Sequence, residues 1–260
     1  MQPSVAVALA LGLAYLVGDF PLQSFRLRKA NTRTWLGILG QAVLHWALVL
    51  LFVFVFASRN LSWKLRIAAG FYVVLHLLIR ISKQYLIREQ CLSDSTTIFV
   101  LDQTVHVAIL LGFTMLITGI TLQDLQTLVA VSESTKYFVL VGAVVYTSVI
   151  FAGGYLIRYM TKGLVTGEHV SGQEPVEQLE NAGMYIGWLE RFLIVTAVVL
   201  RSPTLIGLIL TGKSIARFPE MKEPRFVEYF LIGTLLSFTL ALLGGLLLLR
   251  IWKGTISLQP

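Results

Sequence analysis

Residues 101–113 read LDQTVHVAILLGF. They open a continuous apolar run, Thr97 to Leu122, that is long enough to cross a bilayer yet carries Asp102, Gln103 and His106. A helix needs about 20 apolar residues to span the hydrocarbon. A carboxylate or imidazole inside such a helix is costly unless it faces protein or a partner. The run therefore predicts a membrane helix that turns a polar stripe towards its neighbours.

Similar runs recur along the whole chain, at Ser4–Phe20, Trp35–Ala57, Ile67–Tyr85, Tyr137–Met160, Gly183–Leu200, Thr204–Ile215 and Phe226–Trp252. Of the 260 residues, 56% are hydrophobic and only 13% charged, against about 25% charged in soluble domains. Mean hydropathy is +0.76. The runs are continuous rather than alternating and too long for strands, which argues against a β-barrel. The expectation is an all-α, polytopic transmembrane helix bundle with about seven or eight membrane helices. Thr204–Ile215 is short enough to be either a crossing or a re-entrant segment. The chain divides at 1–125, four helices with an intramembrane Asp/His cluster, and 126–260, the C-terminal helices with an acidic loop at 162–182. The first span has no basic leader or cleavage signal and is expected to be retained. Cys91 is the only cysteine, so no intrachain disulfide forms.

The net charge of +7 suits a membrane protein with basic cytoplasmic loops and implies no nucleic acid. With the N-terminus outside and eight crossings, the cytoplasmic side holds Arg26, Arg28, Lys29 and Arg33, then Arg80, Lys83 and Arg88, then Arg158, Lys162 and Arg191, then Lys213, Arg217, Lys222 and Arg225. That is 14 of the 21 Lys and Arg. The outer side keeps seven, with the Arg59–Arg66 loop counting against the assignment. The expected location is the bacterial inner membrane, N-terminus out. Trp35, Trp63 and Trp252 near span ends suit an interfacial belt.

This orientation gives the polar residues a common depth. Asp19 ends the first span. His45, His76, Asp102 and His106 fall in the cytoplasmic halves of the next three. Asp102 and His106 are one helical turn apart, and His76, Arg80 and Lys83 follow one stripe. Asp19, His45, His76, Asp102 and His106 are candidate metal ligands, since imidazole and carboxylate suit zinc, iron or manganese. Alternatively, Lys83 or Arg80 neutralises Asp102 directly, and the group is a structural polar network that includes Gln23, Lys29 and Gln103. His169, in the acidic loop, is expected to be solvated. GLILTGKS at 207–214 fits the P-loop pattern, but its loop positions are Leu and Ile and no strand precedes it, so no nucleotide site is expected. Glu190 and Arg191, as neighbours on a helix, point about 100° apart and serve different partners.

The blocks YLVGDFPLQS (15–24), HLLIRISK (76–83) and DQTVH (102–106), with Lys29 and His45 between them, resemble an uncharacterised bacterial family of polytopic membrane proteins known as a domain of unknown function. Its blocks are G-D-F-x-L-Q, H-x-x-x-x-x-x-K and D-Q-x-x-H. The likeness covers about residues 10–110. GWLERFLIVTAVVL and TGKSIARFPEMKEPRFVEYFLIGTLLS resemble a C-terminal extension of longer members. The matching positions are Asp19, Gln23, Lys29, His45, His76, Lys83, Asp102, Gln103 and His106. Tyr15 and Arg80 depart, standing where the family has His and Asp. Both departures remove potential metal ligands. The resemblance implies the fold and brings no activity.

Three functional classes stay open. One is a non-catalytic membrane subunit or scaffold, which Tyr15 and Arg80 favour. Another is a metal-dependent, hydrolase-like enzyme acting on a lipid-like or membrane-anchored substrate. The third is a transporter or proton pathway. The expected partners are membrane lipids and other membrane subunits.

The charge bias makes a direct prediction. In a Cys91→Ser background, a cysteine at Ser132 should label from outside the cell and one at Ser24 should not; the reverse pattern would overturn the orientation.

Overall fold

In a computed structural model, the structure describes residues 3–22, 35–57, 63–93, 95–119, 135–162, 182–222 and 224–253. The described residues are all-α, with no strand, and form eight helices when those joined through π-helical turns are counted as one. They are α1 (Pro3–Asp19), α2 (Trp35–Phe52, continued by a π-helical turn at Val53–Ala57), α3 (Trp63–Arg88), α4 (Thr96–Thr118), α5 (Thr135–Thr147, continued through a π-helical turn at Ser148–Ala152 into Gly153–Thr161), α6 (Ala182–Val199), α7 (Pro203–Ala216) and α8 (Pro224–Lys253). A 3₁₀ turn at Phe218–Lys222 precedes α8.

Five of these, α2, α4, α5, α6 and α8, are long and apolar enough to cross a membrane. The chain is an integral membrane protein. α3 is long enough but carries Lys64, Arg66, Arg80, Lys83 and Arg88. Residues 207–214 lie within α7 and are helical throughout, so the loop of a P-loop does not form there.

Burial runs opposite to the pattern of a soluble helix. On α3, Ile67, Phe71, Val74 and Leu78 are exposed while His76 is buried. Exposed aliphatic side chains and a buried imidazole are what a lipid solvent selects, because backbone and side-chain polar groups must find partners inside the protein.

The chain forms two compact units, Met1–Thr147 with Ile251–Pro260, and Ser148–Arg250. In the first unit, α1 is the central helix and packs against α2, α4 and α5. Its sequence is apolar all round and rich in alanine, and Ala6, Ala8, Ala10, Leu11, Leu13 and Ala14 are buried. Small residues let neighbouring helices approach closely. α4 has defined ends: Ser95 Oγ accepts from the Ile98 N–H, and Gly119 closes the helix at φ 68° with its N–H donating to Met115 O. Helix ends of this kind favour glycine because its left-handed conformation carries no Cβ clash. The span expected to reach Leu122 therefore ends at Thr118.

In the second unit, a cation counted above with the cytoplasmic loops lies elsewhere. Arg191 is buried in the middle of α6. Its Nε and Nη2 donate to Ile150 O at 3.1 and 2.8 Å, and Nη1 donates to Ser237 Oγ at 3.3 Å. Ile150 sits in the π-helical turn, where the altered backbone register loosens the regular pairing of carbonyls. Gly154 and Gly187 give the guanidinium room; a Cβ at Gly154 would stand 2.6 Å from Nη2. Arg191 thus ties α6 to the π-turn and to α8, and it drops out of the loop charge count. Glu190, its neighbour, pairs instead with Lys213 of α7.

Candidate functional site: a buried Asp/His/Arg/Lys cluster

Two carboxylates of the first unit organise the candidates, and each meets cationic or imidazole groups of that unit. Asp19, at the end of α1, presents Oδ1 to His45 Nε2 of α2 at 3.1 Å, to His76 Nε2 of α3 at 3.3 Å and to Arg80 Nη1 of α3 at 3.5 Å. Asp102, in the first turns of α4, receives Lys83 Nζ of α3 on Oδ2 at 2.8 Å and Gln103 Nε2 at 3.3 Å. At 2.8 Å the Lys83–Asp102 contact has the length of the stronger, charge-assisted class of hydrogen bond.

The two nodes are joined through rings and one amide. Tyr15 Oη donates to Gln103 Oε1 at 2.6 Å, linking α1 to α4. Its ring stacks on His106 at 5.4 Å and meets His76 edge-on at 5.7 Å. The imidazoles form a row, with His45 and His76 centroids 4.8 Å apart and His76 and His106 4.7 Å apart. Tyr72, one turn before His76, lies parallel to it at 6.4 Å.

The local helix register explains the orientations. His45 Nδ1 lies 3.1 Å from Gln41 O and His106 Nδ1 lies 2.7 Å from Asp102 O, each an i,i−4 carbonyl on the same face. A carbonyl only accepts, so both Nδ1 atoms carry hydrogen and Nε2 is the atom aimed inward. His45 Nε2 then faces a carboxylate oxygen, which also only accepts. Either a proton or another cation must lie between them. Among the described residues, Tyr72 Oη, both ring nitrogens of His76, Arg80 Nη1 and His106 Nε2 are buried without a hydrogen-bond partner. Buried polar atoms are nearly always satisfied by protein or ordered water, so such a concentration calls for an explanation.

Gly18 makes the approach of α1 and α2 possible. A Cβ there would stand 2.5 Å from His45 Nε2.

The structure thus brings together Asp19, His45, His76, Arg80, Lys83, Asp102, Gln103 and His106, while Gln23, Lys29 and His169 lie outside the described residues. The set with metal-like spacing is Asp19, His45 and His76, whose ligand atoms all lie within 4.8 Å of one another. Asp102 has its Oδ2 taken by Lys83, and it is this pairing, with Arg80 directed to Asp19, that separates the two carboxylates into different roles. Tyr72, Gln41 and Gly18 were not singled out from the sequence as part of this cluster. The first two stand one turn before His76 and His45, and an i,i+4 polar pair inside an apolar span is the signal that marks them.

Residues 7–139 match the family described as Protein of unknown function (DUF3307). The chain belongs to this family. The match takes in every residue of the cluster, so the Asp/His/Arg/Lys group lies in the DUF3307 domain, and the helices beyond residue 139 fall outside it. No curated protein and no solved structure matches the chain.

The close approach at Gly18 yields a paired prediction. Gly18→Ala should displace His45 and lower the unfolding free energy of the detergent-solubilised protein by about 1–3 kcal/mol through overpacking. Gly12→Ala, where a Cβ meets nothing within 4 Å, should leave it unchanged or raise it by up to ~1 kcal/mol, the helix-propensity difference. Equal effects at both sites would contradict the packing described.

Proposed function

We propose that the chain is a non-catalytic membrane subunit of a bacterial inner membrane, N-terminus outside the cytoplasm. Its DUF3307 domain is a scaffold of helices locked by the buried network. The observation that carries this reading is that both carboxylates of the cluster face a cation of their own chain, Arg80 at 3.5 Å from Asp19 and Lys83 at 2.8 Å from Asp102. A site built to turn over an electrophilic substrate would leave such a carboxylate open to it. One built to fix helix register pairs it, because the alternative in hydrocarbon is an uncompensated ion.

The surface supports the same role. None of the residues of α7 is buried, and Leu205, Leu208 and Ile215 are exposed along it. At 14 residues the helix is roughly 21 Å long at 1.5 Å per residue, shorter than the hydrocarbon layer. A short helix that rests on α6 and leaves much of its apolar surface exposed suits contact with membrane lipids and with other membrane subunits.

A charge exchange tests the scaffold role. Lys83→Met and Asp102→Asn should each destabilise the detergent-solubilised protein, Lys83→Met by as much as about 3–5 kcal/mol because it leaves a buried charge unpaired. The exchange Lys83→Asp with Asp102→Lys should recover a substantial part of the loss. Single variants that melt like the wild type would show that the pair does not hold the domain together.

A further inference from the structure

We propose that Asp19, His45 and His76 bind one divalent transition-metal ion, zinc in the first instance, where α1, α2 and α3 meet. The inference goes beyond the scaffold reading and stands without it.

Distance is the first argument. Four-coordinate zinc holds imidazole nitrogen and carboxylate oxygen at about 2.0–2.2 Å, which sets ligand atoms roughly 3.3–3.5 Å apart. Asp19 Oδ1 lies 3.1 Å from His45 Nε2 and 3.3 Å from His76 Nε2. The three ligand atoms all fall within 4.8 Å of one another.

Orientation is the second. His45 gives its Nδ1 hydrogen to Gln41 O and turns Nε2 to Asp19, as a lone pair in the neutral ring. A ligating histidine commonly donates its other nitrogen to a backbone carbonyl in this way, which fixes the tautomer and the ring. The lone pair and the carboxylate oxygen repel unless a cation sits between them.

His76 is the third and independent observation. It is 1% exposed, its Nε2 stands 3.3 Å from Asp19, and neither ring nitrogen makes a hydrogen bond among the described residues. An imidazole sealed this deeply, with neither nitrogen hydrogen-bonded and Nε2 facing a carboxylate, is explained if Nε2 coordinates an ion. Two imidazoles and one carboxylate form a borderline-soft set that favours zinc, iron or manganese over calcium or magnesium. Arg80 Nη1 stands 3.5 Å from the same oxygen, Oδ1, as an ion-pair neighbour outside the ligand set. Its charge is also the competitor: if Arg80 and a proton on His45 neutralise Asp19 by themselves, no metal is needed.

The test uses the full-length chain, carrying an affinity tag without histidines, purified in detergent from cells grown with added zinc. Elemental analysis should find roughly one ion per chain, as three ligands at one centre require. His45→Ala and His76→Ala should remove it, and His106→Ala should keep it. If the ligand variants fail to fold, the wild type decides alone. After chelation, Zn²⁺ should raise its melting temperature, and Co²⁺ should give the visible d–d absorption of a low-symmetry site. A chelated wild type that neither Zn²⁺ stabilises nor Co²⁺ colours would overturn the proposal. So would metal retained in folded His45→Ala and His76→Ala, or metal lost in His106→Ala alone, which would move the site to Asp102.

Discussion

A single buried carboxylate at the end of an apolar helix constrains much of the DUF3307 domain. Asp19 closes α1, a helix that apart from Tyr15 offers its neighbours small and aliphatic side chains. Left unpaired inside a bilayer it would be a heavy burden, since the hydrocarbon supplies no water to solvate it. The fold resolves this by bringing His45 from α2 and His76 and Arg80 from α3 to one of its oxygens. Several other features follow from that convergence. Gly18 has to be glycine-sized for His45 to reach across, the imidazoles of α2, α3 and α4 are drawn into one row, and α3 must turn its apolar face outward to keep its polar stripe inside.

Asp102 repeats the arrangement on a smaller scale, with Lys83 and Gln103 around it and Tyr15 joined through the Gln103 amide. The two nodes share α3, which contributes Arg80 to one and Lys83 to the other. These residues are three apart and lie on one side of the helix. Helix 3 is therefore the strut between the carboxylates of α1 and α4, which explains why its charges are tolerated in a segment that otherwise faces lipid. The second unit solves a different problem with similar means: a buried guanidinium grips a carbonyl of a π-helical turn and a serine hydroxyl rather than an acid.

Much of this was legible in the sequence, for reasons that can be named. The helices announce themselves because continuous apolar runs of membrane length have few other physical solutions. The boundaries at α2, α5, α6 and α8 fall within three residues of the apolar runs themselves. The members of the cluster were legible because ionisable residues inside such runs are rare and must turn inward. What sequence could not supply was the pairing. Depth and helical stripe leave Asp102 free to meet either Arg80 or Lys83, and only the tertiary fold, which brings the end of α1 to His76 and Arg80, sends Arg80 to Asp19. Arg191 was misread as a loop cation because it begins the second half of a run that is apolar on both sides. Its partner, the Ile150 carbonyl, is released by a backbone irregularity that leaves no mark in residue type. Gly18 belongs to the same class: a glycine beside an aspartate reads as a helix end until the imidazole that crosses it is known.

The most direct measurement is a double-mutant cycle between Asp19→Asn and Arg80→Met, read as unfolding free energies of the detergent-solubilised protein. A shared node predicts that the two changes are strongly non-additive, with a coupling of about 1 kcal/mol or more, as contacting charged residues show. Effects that add within ~0.5 kcal/mol, the behaviour of distant and independent sites, would contradict a domain organised around Asp19.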